Sequence, residues 1–169
     1  MTRRVPGMLA LLSATVGGFA LAHSAPNSFV RLSFLAHSVR AEVLVPESEL
    51  AFATAAERAP EPFTDYLRRH LSAETPGGAA WKMEVREVAR ISYLEHAYLS
   101  AQVELTPPPG NSAHAFVLVD DAVTHEIRNH VVLVLARGAE SPELLGALQY
   151  PARRLAVQSP VKESSTKAQ

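Results

Sequence analysis

The stretch Ala97-Tyr98-Leu99-Ser100-Ala101-Gln102-Val103-Glu104-Leu105 sets Ala97, Leu99, Ala101, Val103 and Leu105 at every second position. A period of two sends successive side chains to opposite faces of a strand, so one face meets a core and the other meets water. The same period recurs to either side. Val30, Leu32 and Phe34, then Val39, Ala41, Val43 and Val45, give two strands joined near Ala36-His37. Trp81, Met83 and Val85 face away from Lys82, Glu84 and Arg86. Ala115 to Val123 and His130 to Ala136 are two more apolar strands, with a polar stretch around Arg128-Asn129 between them. Pro46 stops the second strand, and the Ala- and Glu-rich run from Glu47 to Arg58 favours a short helix. After Pro60 and Pro62, Phe63, Tyr66, Leu67 and His70 fall at helical spacing, with Thr64 as a cap and Pro76-Gly77-Gly78 as a stop. The pattern predicts a mainly β fold, an antiparallel β-sandwich with a short helical insertion between strands two and three. Trp81, Leu99, Val103, Val117 and Leu133 are its predicted core.

Before the first strand, Arg3 and Arg4 precede an apolar run from Met8 to Leu21, which ends on the small-x-small exit Ala20-Leu21-Ala22. This is the three-part pattern of a secretory signal. The apolar run is too short for a spanning helix of about 20 residues. The reading is a cleaved signal over 1–22, a β-sandwich domain over 23–158 and a polar, disordered tail over 159–169, in a periplasmic or secreted protein. Cleavage removes two of the sixteen basic residues and none of the seventeen acids, leaving a net charge of −3. That balance offers no footprint for nucleic acid, and no apolar run in the mature chain is long enough to span a membrane. Cysteine is absent, so no disulfide staples the domain and thiol chemistry is excluded.

Several stretches follow one another in a familiar order. His23-Ser24-Ala25-Pro26-Asn27-Ser28 leads to Ala41-Glu42-Val43-Leu44-Val45-Pro46 and Glu49-Leu50. Asp65 to Leu71 is followed by Pro76-Gly77-Gly78 and Trp81, and Asp121 to His130 leads into Val131 to Leu135. Over roughly residues 22–137 this order resembles the secreted N-terminal domain of HupE/UreJ-type proteins, associated with nickel or cobalt acquisition. The resemblance implies an extracytoplasmic domain that works with a membrane permease or metal-uptake protein. The helical permease part of that family has no counterpart here, so transport activity does not carry over.

Three histidines are the candidate metal ligands. Cleavage after Ala22 would leave His23 with a free α-amine beside its ring, a chelating pair suited to nickel, cobalt or copper. His125 and His130 would share a face if the chain made a hairpin at Arg128-Asn129, pairing Ile127 with His130 and His125 with Val132. His37, His70, His96 and His114 show no ligand spacing and read as solvated. Asp120-Asp121 beside Thr124 and His125 could suggest acid–base chemistry, but paired acids next to a strand more often mark a wet edge or a bulge. No nucleophile elbow, zincin motif or phosphate loop is present, which argues for a non-enzymatic module, and the resemblance implies that it binds or delivers a transition metal. A metal-free interaction or structural sandwich is the alternative, and a secreted hydrolase a third class.

Overall fold

A computed structural model describes residues 26–55, 62–138 and 141–160. The predicted signal over 1–22, His23 and most of the tail, 161–169, lie outside them; Ser159 still donates its N–H to the His114 carbonyl at 2.8 Å.

The opening hairpin forms as its alternation requires. β1 (Ser28–Phe34) and β2 (Val39–Pro46) pair antiparallel from Phe29–Leu44 to Phe34–Val39, closed by a turn in which the Leu35 N–H reaches the Ser38 carbonyl. The helical insertion follows as two pieces, α1 (Glu47–Ala55) and α2 (Phe63–His70). In α2, Asp65 stands at the positive end and Arg68, Arg69 and His70 at the negative end, an arrangement that favours the helix dipole. Phe63, Tyr66 and Leu67 form its buried face. The predicted Thr64 cap does not form, since Pro62 holds the cap position without a side-chain hydrogen bond.

The helix ends at His70 because the chain turns straight into a strand, β3 (Leu71–Glu74), which alternation over four residues is too short to announce. Then come β4 (Lys82–Tyr93), β5 (His96–Thr106), β6 (Ala115–Asp120), β7 (Val132–Ala136), β8 (Glu143–Leu148) and β9 (Arg154–Gln158). Two sheets result, one in the order β4-β5-β2-β1-β7-β8 and one in the order β3-β6-β9. The architecture is mainly β and sandwich-like, with one correction to the expected antiparallel pattern. β1 and β7 run parallel, Ser28 beside Val132 and Leu32 beside Ala136, so the larger sheet is mixed. The long crossover through both helices and β6 supplies the reversal that a parallel pair needs.

Between the sheets lie Val30, Leu32, Val43, Val103, Leu105, Phe116, Leu118, Val132 and Val134, with Trp81 packed against Phe116. Trp81 and Val103 are buried as predicted, while Leu99, Val117 and Leu133 are only half-buried. In β6 the inward side carries Phe116, Leu118 and Asp120, which turns Val117 outward. Leu133 lies on the outer face of the larger sheet, in a second cluster with Phe29, Leu44 and Tyr98. Leu99 lines a cleft under α1. Among the described residues no helix is long and apolar enough to cross a membrane.

Candidate functional site

The segment between β6 and β7 decides the site. The expected hairpin at Arg128-Asn129 is absent, because β6 pairs with β3 and β9 whereas β7 pairs with β1 and β8. The strands also stop short of the predicted ends, β6 at Asp120 rather than Val123 and β7 beginning at Val132 rather than His130. Between them the chain coils in turns. The Asp120 carboxylate accepts the Ala122 N–H at 2.9 Å, and the Ile127 and Glu126 N–H groups reach back to the Val123 carbonyl. Val123 sits at φ 65°, a conformation unfavourable for a β-branched residue. His125 and His130 therefore acquire separate partners.

His125 turns towards α2. Its Nδ1 lies 3.0 Å from the Asp121 carbonyl, and its ring stacks on that of His70 with centroids 4.2 Å apart and planes 17° apart. His70 Nδ1 lies 2.8 Å from Asp121 Oδ1, and Arg153 donates to Asp121 Oδ2 at 2.8 Å. Asp121 thus orients both rings, one through its side chain and one through its main chain. A carboxylate and a carbonyl only accept, so each Nδ1 carries a proton, and in a neutral ring the lone pair is left on Nε2, the usual outcome when a second group orients a ligating histidine. Tyr66 packs against both rings, 4.5 Å from His70 and 6.1 Å from His125. One ligand atom from each of His70, Asp121 and His125 lies within 4.8 Å of the other two.

His70, read from sequence as solvated, is thus a central member of the cluster. Its side chain is 11% exposed. The β3–β6 register places Leu71 opposite Asp120, and the Asp121 N–H donates to the His70 carbonyl at 3.0 Å, so β3 delivers His70 to Asp121. Asp120 belongs to no wet edge. It is fully buried, and burial pushes its carboxyl up to about 7, against the Ala122 hydrogen bond and with help from the Asp121 charge.

His130 stands beside the start of β1. Its Nε2 is 2.8 Å from Ser28 Oγ, and Glu49 Oε2 on α1 is 3.9 Å from its Nδ1. Burial lowers its pKa to about 4, so the ring is neutral at ordinary pH. Serine, histidine and glutamate here follow the order of a hydrolytic triad. Ser28 is only 2% exposed, however, and 3.9 Å is too long for the hydrogen bond that would orient the imidazole. The trio ties α1, β1 and the entry to β7 together. The closeness of Ser28 to His130 also satisfies one geometric condition for a site shared with the N-terminal chelate, although His23 itself lies outside the described residues. No family model matches the chain, and no curated protein matches it.

Proposed function

We propose that this chain is an extracytoplasmic, non-enzymatic module that holds a divalent transition-metal ion at His70, His125 and Asp121 for a membrane metal-uptake partner. The observation that carries the reading is the convergence of two imidazoles and a carboxylate within 4.8 Å, from the end of a helix and a turn more than fifty positions later in the chain. Imidazole and carboxylate donors together suit nickel, cobalt, zinc and copper, and the resemblance to the HupE/UreJ secreted domain favours nickel or cobalt as the cargo. Metal–ligand distances of about 2.0–2.2 Å set donors at most about 4.4 Å apart across one ion, so a small closing movement suffices.

The experiment is calorimetry with Ni(II), Co(II), Zn(II) and Cu(II) on the exported, processed protein, on H70A and H125A, and on a form with one extra residue before His23. Loss of binding in H70A and H125A, with the extended form unchanged, supports the site. Loss confined to the extended form moves the site to the His23 amine, and no binding by any form favours the metal-free interaction module, whose polar cluster is satisfied by its own ion pair between Arg153 and Asp121.

A further inference from the structure

A second feature of the molecule lies on the far side of Tyr66. The two helices of the insertion lean over the end of the β4–β5 ribbon and leave a cleft of about 250 Å³ between them. Leu50, Ala51, Phe63, Tyr66 and Leu99 make its apolar wall, and Glu47, Thr54 and Arg90 stand around it. The Thr54 hydroxyl is turned inward to the Leu50 carbonyl at 2.9 Å, so that among the described lining residues two charged groups remain to choose a ligand. These are paired, with Arg90 Nε donating to Glu47 Oε1. The guanidinium has five donors in a planar fork and the carboxylate two acceptor oxygens, so among the described residues the single bond leaves Arg90 Nη groups and Glu47 Oε2 to recognise something else.

Size and charge narrow the occupant. Pockets for drug-sized ligands begin at about 300 Å³, so this cleft suits a metabolite-sized molecule with an apolar body. A lone anion would meet Arg90 but be repelled by Glu47 beside it, and a lone cation would meet the reverse. A ligand carrying both charges on one carbon completes both groups without parting them, its ammonium on Glu47 and its carboxylate on Arg90 closing a ring of alternating charge with the ion pair. Phe63 and Tyr66, whose rings lie 6.4 Å apart at 19°, offer a flat aromatic wall for the apolar part. We propose that the cleft binds a free α-amino acid with a large apolar side chain, the backbone charges held by Glu47 and Arg90 and the side chain set against Leu50, Phe63, Tyr66 and Leu99. This goes beyond the metal reading and does not depend on it, since none of these polar groups belongs to the histidine cluster.

The test is calorimetry of the processed protein, without added metal, with L-phenylalanine and L-leucine, with 3-phenylpropionate, which lacks the amine, and with 2-phenylethylamine, which lacks the carboxylate. The amino acids are expected to bind with Kd below about 1 mM and the two truncated analogues at least about tenfold more weakly. R90Q should cost about tenfold by removing the carboxylate's partner. A51L should abolish binding by filling the cleft from an exposed helix position, where leucine is nearly as good a helix former as alanine, with unchanged circular dichroism confirming the fold. No binding of either amino acid, equal binding of the truncated analogues, or binding that survives A51L would overturn the proposal.

Discussion

The Tyr66 hydroxyl accepts the backbone N–H of Val123 at 2.8 Å, joining the buried face of α2 to the one residue of the β6–β7 turn held at positive φ. Val123 is fully buried, so water cannot replace this acceptor. The bond fixes the turn that carries Asp121 and His125 against the helix that carries His70. Y66F keeps the ring and removes the hydroxyl that accepts this N–H. It is expected to cost about 1–3 kcal/mol in urea denaturation, the usual penalty for a stranded buried donor, and to weaken metal binding with it. Unchanged stability would show that the turn is fixed by its own hydrogen bonds.

Asp121 and Arg153 should act on metal affinity in opposite directions. D121N removes the carboxylate charge from the ligand set and the strong acceptor at His70 Nδ1, and is expected to weaken Ni(II) or Co(II) binding by at least about 10-fold, the loss of an orienting partner alone being worth about 10–100-fold elsewhere. R153Q withdraws a cation from the other oxygen of the same carboxylate and should strengthen binding. Calorimetry on the two variants checks the signs, and the same sign in both would contradict the assignment.

Two buried groups give stability opposing dependences on pH. His130 is lowered from 6.5 to about 4, so between those values the unfolded chain holds a proton that the folded protein lacks, and stability rises with pH. Asp120 is raised from 3.8 to about 7, so there the folded protein holds the extra proton, and stability falls as pH rises. Over the shared window the slopes cancel. D120N keeps an oxygen for the Ala122 N–H and removes one slope. Its gain over the parent should grow from almost nothing at pH 4 to about 4 kcal/mol above pH 7, followed by urea denaturation across that range. A gain independent of pH would mean that Asp120 does not titrate in this way.

Val103 is 1% exposed on the inward side of β5. V103D places an unpaired charge between the sheets and is expected to cost more than about 4 kcal/mol, enough to abolish the cooperative thermal transition.

Local pattern made much of this fold legible. The every-second-residue apolar positions of β2 and β5, the proline-bounded helices and the hairpin at Ala36-His37 need only neighbours in sequence to be read. The parallel pairing of Ser28 with Val132 leaves no such trace, because a strand's own pattern is the same whichever way its neighbour runs. Leu133 and Val117 were misplaced for a related reason: β6 and β7 are apolar on both faces, so alternation cannot choose the inner one. The site suffered most. His125 was visible beside Asp121, but His70 reaches them through β3, four residues long and paired with a strand nearly fifty positions away. Only a helix ending in histidine and a pair of aspartates hinted at it, and neither hint names the other.

The position of β1 in the middle of the larger sheet also fixes an order of events. β1 can join β2 as soon as the hairpin is made, but its other side waits for β7, roughly a hundred residues later in synthesis, a long delay for a contact to close. Until then the nascent chain presents β1 as a bare edge of unpaired N–H and C=O groups, the kind that seizes strands from other molecules. A product cut short before Val132 would keep that edge permanently, and such fragments would clump rather than persist as half-built domains.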